Sequence, residues 1–308
     1  MGKKVLIATV KPFAKEAVKS IQDIADSKGY AITLLESYKD EKELLEASKK
    51  TDALIIRSDK IHSGIIENAE DLKIIVRAGA GYDNVDLESA SKKGITVMNT
   101  PGQNSNAVAE LAFGMMVYIA RNKFNGKAGT ELKGKKLGIH AYGHVGKYVA
   151  RIALGFGMNV YAFDPFIDDD EIKKDGVIPV DSAETLYSEC RYVSLHIPAN
   201  EKTKKSINYA LMYSMPKNAV LINTARKEVV CEDSLMKILK EREDFKYVSD
   251  IAPDCSDTLE KNYSDRCFFT PKKMGAQTAE ANINAGIAAI TQIISFFETG
   301  DRTFQVNK

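Results

Sequence analysis

The sequence predicts an α/β protein built from two doubly wound parallel-sheet domains with a cleft between them. Three features point there. Short aliphatic runs alternate with amphipathic segments from end to end, the pattern of strands buried on both faces and covered by helices. At 308 residues the chain exceeds one ordinary core. A break at Pro101-Gly102 splits the alternation into two series.

The elements follow in order. Val5–Val10, Ile32–Leu35, Ala53–Ile56, Leu72–Val76 and Ile95–Met98 are predicted strands, with helical segments such as Ala14–Ala25 and Glu41–Ser48 between them. After Pro101-Gly102 comes an apolar helix from Asn106 to Arg121. The second series begins at Lys136, with strands at Leu137–His140, Val160–Phe163, Tyr192–Leu195, Val220–Ile222, Tyr247–Ser249 and Phe268–Phe269. A last helix, Gln277 to Phe297, is closed by Gly300.

Composition narrows the function classes. The chain carries 43 basic and 42 acidic residues, so bulk charge argues for no nucleic-acid partner. Val5–Val10 is too short for a signal h-region with a cleavage site, and Leu111–Ala120 is too short to span a bilayer. A soluble cytoplasmic protein without a membrane partner is expected. Cys190, Cys231, Cys255 and Cys267 show no CxxC spacing, and there are only four histidines. Neither a metal site nor a disulfide is expected.

One motif carries chemistry. The strand Leu137–His140 runs into Ala141-Tyr142-Gly143-His144-Val145-Gly146, where a helix begins. This is a degenerate form of the glycine fingerprint of Rossmann-like domains. Gly143 lets backbone approach a pyrophosphate, Gly146 permits close helix–strand packing, and the helix N-terminus offers N–H groups. Alanine in the first position is expected to keep a negative φ. Eighteen residues after Gly146, Asp164-Pro165 ends the next strand. An acid there accepts the ribose hydroxyls and repels a 2′-phosphate, which favours NAD over NADP.

In the first series, Arg57, Ser58 and Lys60 follow a strand end, where side chains reach a ligand crevice. The two cations, Arg57 and Lys60, suit an anionic substrate, and a phosphorylated one above all.

Further segments carry a resemblance. Arg77-Ala-Gly-Ala-Gly-Tyr-Asp-Asn-Val-Asp86, Asn99-Thr-Pro-Gly, Val108-Ala-Glu110, Ser194-Leu-His-Ile-Pro198, Ile222-Asn-Thr-Ala-Arg226 and Thr270-Pro271 occur in the order found in D-2-hydroxyacid dehydrogenases. The chain resembles that family over nearly its whole length, and most of all its short 3-phosphoglycerate dehydrogenase branch, so that no regulatory domain is expected after Lys308. The resemblance implies NAD-dependent hydride transfer from 3-phosphoglycerate, the first step of phosphorylated serine biosynthesis, in a homodimer. It also implies that the final helix returns to the first domain. Residues 1–100 and 280–308 would then bind substrate and residues 101–279 would bind NAD. Arg226 maps onto the arginine that polarises the C2 oxygen. Ile197, Pro198, Thr224, Ala225, Asp250 and Gly275 map onto the nicotinamide end, and Ala78 and Gly79 onto the carboxylate loop.

The family's catalytic histidine and glutamate are absent. Thr270-Pro271-Lys272-Lys273-Met274-Gly275 is one residue longer than the family's Thr-Pro-His-Ile-Gly. Lys272 takes the histidine's place counting forward and Lys273 counting back, so the sequence resembles a lysine-for-histidine variant. Cys255 falls where the glutamate belongs, with Asp254 beside it, and Lys227 replaces a glycine after Arg226. A lysine, ordinarily near ~10.4, becomes a base near neutrality only if shifted down, and losing a carboxylate acts in that direction. His196 is expected to pack rather than react. A glyoxylate or hydroxypyruvate reductase and a non-catalytic NAD(H)-sensing protein are the alternatives.

Overall fold

The computed structural model describes residues 2–307. They form two units, one running to Asn104 and resuming at Thr278, the other spanning Ser105–Gln277.

The first unit holds β1 (Lys4–Thr9), β2 (Ala31–Glu36), β3 (Ala53–Ile56), β4 (Ile74–Arg77) and β5 (Thr96–Asn99), all parallel, in the order β2-β1-β3-β4-β5. Alternation along β1 shows how one strand serves two layers. Val5 and Ile7 enter the core on one face, and Leu6 and Ala8 enter the core on the other. The helix Ala279–Thr299 belongs to this unit and packs on the helix Lys15–Ser27. It starts later than the apolar pattern suggests because Thr278 caps it, its hydroxyl accepting from Ala281 N at 3.1 Å. It ends at Gly300, where φ is 72°.

The second unit holds β6 (Lys136–His140), β7 (Asn159–Phe163), β8 (Ile178–Pro179), β9 (Tyr192–Leu195), β10 (Val220–Asn223), β11 (Lys246–Ser249) and β12 (Cys267–Phe269). They form a parallel sheet in the order β12-β11-β10-β9-β6-β7-β8. The two-residue β8 has no counterpart in the sequence reading. It is an edge strand containing Pro179, and so short a run has no periodicity to detect. The strand order reverses between β6 and β9, the place where ligands bind outside the carboxyl ends of an open sheet. The helix Ser105–Ala120 lies in the apolar layer on one face, with Leu137, Ile139 and Ile222. Val193, Leu195 and Leu221 face the other.

Candidate active site

The turn after β6 departs from expectation. Ala141 has φ +79° rather than a negative value. The loop needs a left-handed residue here, and an L side chain tolerates this at a cost of roughly 1–2 kcal/mol. The conformation is held from outside. Ala141 N donates to Phe163 O at 2.9 Å. Its carbonyl lies 2.5 Å from where a Cβ on Gly146 would sit, so only glycine fits at Gly146. A Cβ on Gly143 would meet nothing within 4 Å. The open space there lies before the helix His144–Gly155, whose first residues, His144 and Val145, present N–H groups.

Asp164 ties this loop to β7. Its Oδ2 accepts from Tyr142 N at 2.8 Å and its Oδ1 from Phe166 N at 2.9 Å. Tyr142 contributes backbone only, since its ring is buried in the core and its hydroxyl donates to Asp175 Oδ2 at 2.8 Å. A cavity of about 830 Å³ opens here, lined by Ala141, Asp164, Pro165, Ile197 and Pro198 among others. Its size and the Asp164 carboxylate at the end of β7 fit the adenosine half of NAD. Phe166, which sequence reasoning passed over, also lines it and is 92% exposed. An aromatic directly after Asp164-Pro165 was the available signal.

His140 lines this cavity, and His196 follows the neighbouring strand β9. His196 N donates to His140 O at 2.9 Å across β9 and β6. Burial pushes His140 down to about 4. Burial, reinforced by His140, pushes His196 down to about 3. His196 lies 3.0 Å from Ser194 Oγ and 3.4 Å from Thr224 Oγ1. At neutral pH both rings are uncharged.

At the end of β10 the Asn223 amide shapes the turn that carries the arginine. Its Nδ2 donates to Arg226 O at 2.9 Å and its Oδ1 accepts from Ala225 N at 3.0 Å. Arg226 is partly buried and one of its N–H groups donates to Ala225 O at 3.0 Å. Lys227 forms an ion pair with Asp254, so that carboxylate is already occupied. Glu232, unnoticed in the sequence, holds that segment by accepting from Asp254 N at 2.8 Å and Cys255 N at 2.9 Å. Burial and the Glu232 carboxylate raise the Cys255 thiol to about 12. It therefore stays protonated near neutral pH and supplies no negative charge there.

Asp250, 1% exposed, organises the lysine loop. Its carboxylate accepts from Met274 N at 2.7 Å and Gly275 N at 2.8 Å. The Thr270 hydroxyl lies 3.0 Å from Asp250 Oδ1 and 2.8 Å from Lys272 O. Both ends of the loop are thus pinned, and Pro271, Lys272 and Lys273 form its exposed crest.

In the first unit, Arg57 stacks over Phe13, 5.0 Å from the ring centre, and its N–H groups reach the carbonyls of Lys11 and Pro12. Ser58 and Lys60 are exposed beside it. Ala78 and Gly79 are buried at the end of β4, with Gly79 O accepting from Thr100 N at 3.0 Å. Among the described residues no group of three or more His, Cys, Asp or Glu side chains is arranged to hold a metal. No described helix is long and apolar enough to cross a membrane.

Comparison with known proteins agrees with this geometry. Residues 95–271 match the family described as "D-isomer specific 2-hydroxyacid dehydrogenase, NAD binding domain". The NAD+-bound 3-phosphoglycerate dehydrogenase of Entamoeba histolytica superposes with a TM-score of 0.91 at 46% identity, covering 100% of this chain and 99% of that one. Hydroxypyruvate reductase of Thermotoga maritima is 34% identical over 92% of this chain and 95% of its own length. D-3-phosphoglycerate dehydrogenase of Methanocaldococcus jannaschii is 34% identical over 94% of this chain but only 57% of its own length, so the present chain spans little more than half of that relative. The chain belongs to the NAD-dependent D-isomer-specific 2-hydroxyacid dehydrogenases.

Proposed function

We propose that this chain oxidises 3-phosphoglycerate to 3-phosphohydroxypyruvate, with a lysine in place of the family's histidine. The observation that carries this reading is the end-to-end likeness to the Entamoeba histolytica 3-phosphoglycerate dehydrogenase. NAD, held by the Gly143 turn and Asp164, supplies the acceptor for the hydride that leaves C2. Lys272 or Lys273 takes the C2 hydroxyl proton and returns it in the reverse direction. Arg226 holds the oxygen as its carbonyl character grows. Arg57, Ser58, Lys60 and the Ala78-Gly79 backbone bind the carboxylate and phosphate. Asp254 orients a lysine only when released from Lys227. The working form in this proposal is a cytoplasmic homodimer.

The likeness to a hydroxypyruvate reductase along almost the whole of that protein favours a second reading, reduction of an unphosphorylated 2-keto acid. Steady-state NADH absorbance with 3-phosphoglycerate, phosphohydroxypyruvate, hydroxypyruvate and glyoxylate separates the two. Repeating it with Lys272→Ala and Lys273→Ala, from about pH 6 to about pH 10, assigns the base. The proposal requires 3-phosphoglycerate turnover that rises with pH and collapses in one of the two variants. Turnover unchanged in both variants would sink the lysine mechanism.

A further inference from the structure

We propose that the second unit carries a binding site for a small oxoanion, phosphate or a short carboxylate, at the amino-terminal ends of β9, β10 and β11. The nucleotide cavity lies at the opposite, carboxyl ends of this sheet. A separate cavity of about 180 Å³ opens where these strands begin, lined by Tyr192, Val220 and Lys246 from their first positions and by Arg191, Asn218 and Thr130. At about 30 Å³ per water, it suits an ion of a few heavy atoms with part of its hydration.

Three observations identify the ligand as an anion. Two cations line the cavity, and neither Arg191 nor Lys246 has an ion-pair partner among the described residues. Arg191 Nε donates to Asn218 O at 3.0 Å, and Lys246 Nζ reaches only neutral oxygens, Ile119 O and Asn122 Oδ1, both at 3.3 Å. Asp244, whose carboxylate meets the same loop at Asn218 N, is already paired with Arg242. Third, Tyr192 is one of the residues around the cavity, is 0% exposed, and its hydroxyl has no hydrogen-bond partner among the described residues. A buried hydroxyl without a partner is costly, and an acceptor in the cavity would satisfy it. Burial, with Arg191 and Lys123 adding to it and Asp265 opposing, lowers the Lys246 ammonium from its ordinary range. An anion between the two cations would reverse that.

The wall is built rather than incidental. Asn122, Lys123 and Phe124 take consecutive left-handed conformations, φ 49°, 55° and 56°, a strained run that persists only where its surroundings fix it. Lys123 fixes it by donating to the Ser264 and Cys267 carbonyls, and Asn122 Nδ2 donates to Ala128 O at 2.7 Å. A Cβ on Gly129 would lie 2.4 Å from Ala120 O, so glycine alone lets this segment close against the preceding helix.

The test is the thermal midpoint with inorganic phosphate, measured with saturating NADH so that the Gly143 turn is filled, against potassium chloride at equal ionic strength. Phosphate at ten times its Kd should raise the wild-type midpoint by about 3–5 °C. Tyr192→Phe, which removes only the unpartnered hydroxyl, and Lys246→Met should lose most of that shift while keeping NADH-forming activity. No specific shift in the wild type, or an equal one in wild type and Tyr192→Phe, overturns the proposal. Tyr192→Phe alone decides it if Lys246→Met does not fold.

Discussion

Lowering the pH from 6.5 to 5 is expected to destabilise the Ser105–Gln277 unit through His140 and His196 specifically. Both are pushed below the ordinary histidine value, to about 4 and about 3, while in the unfolded chain they titrate near ~6.5. Between those values the unfolded state binds protons that the folded state refuses. Stability is therefore complete above about pH 6.5 and falls as the pH drops toward the folded values. At about pH 5 each ring lies about 1.5 units below its unfolded pKa, which is about 2 kcal/mol per histidine at 1.36 kcal/mol per unit, or about 4 kcal/mol for the pair. The two rings are neighbours and titrate as a pair. Carboxylates held low by hydrogen bonds, such as Asp52 and Asp244, lose their contribution only as the pH falls below about 4. The window between 5 and 6.5 therefore isolates the histidines. Urea denaturation at the two pH values, for the wild type, His140→Gln and His196→Gln, measures the effect. Each variant should lose about half of the wild-type pH dependence. A flat wild-type profile, or variants with the full slope, refutes the reasoning.

Other expectations follow from the same geometry. Ala141→Gly removes a left-handed alanine costing about 1–2 kcal/mol and returns about 0.4–1 kcal/mol of unfolded-chain entropy, so the protein should gain about 0.5–1 kcal/mol in urea denaturation. Gly146→Ala drives a Cβ toward Ala141 O and should cost about 1–3 kcal/mol and weaken NADH binding measured by fluorescence titration. Asp250→Asn turns an amide toward donors and should cost about 1–3 kcal/mol, with faster hydrogen exchange at the Met274 and Gly275 amides. Asp164→Ser frees the Tyr142 and Phe166 amides and removes the charge opposing a 2′-phosphate. Its kcat/KM ratio for NAD over NADP should fall at least about tenfold, equivalent to about 1.4 kcal/mol.

The parallel sheets were legible because their evidence is local and repeated. Val5–Val10, Ala53–Ile56 and Val220–Ile222 are aliphatic runs that only a strand covered on both faces explains. The phosphate turn was legible because it depends on glycine at Gly143 and Gly146. The sign of φ at Ala141 was not, because it is fixed by Phe163, twenty-two residues away, and by the close approach at Gly146. Glu232 escaped notice for the same reason. Its carboxylate acts on backbone amides of Asp254 and Cys255, so no side-chain motif records the partnership. The Lys227–Asp254 pair was hidden too, since the departure from glycine and the lone aspartate are separated along the chain and have meaning only together.

These long-range contacts also explain why the extra residue in the lysine loop is tolerated. A single insertion between Thr270 and Gly275 would shift every group after it if the loop were anchored at one end. It is anchored at both, by the Thr270 hydroxyl and by the Met274 and Gly275 amides, and all of them meet at one carboxylate, Asp250. The added length is therefore confined to Pro271, Lys272 and Lys273, and Gly275 stays against Asp250 whichever lysine counts as the inserted one. Counting from either end of the motif cannot separate the two lysines, because both ends are equally fixed. The histidines at the ends of β6 and β9 offer no substitute base from the same strands: burial pushes them down to about 4 and about 3, so they hold a proton only weakly, and His196 is committed to Ser194 and Thr224. Nor does the chain offer the carboxylate that would normally sit beside a catalytic histidine, because Asp254 is held by Lys227 and Cys255 keeps its proton. A base on the 271–273 crest would thus work without a partner acid at its back, which suits an amine that must lose its proton more than an imidazole that must gain one.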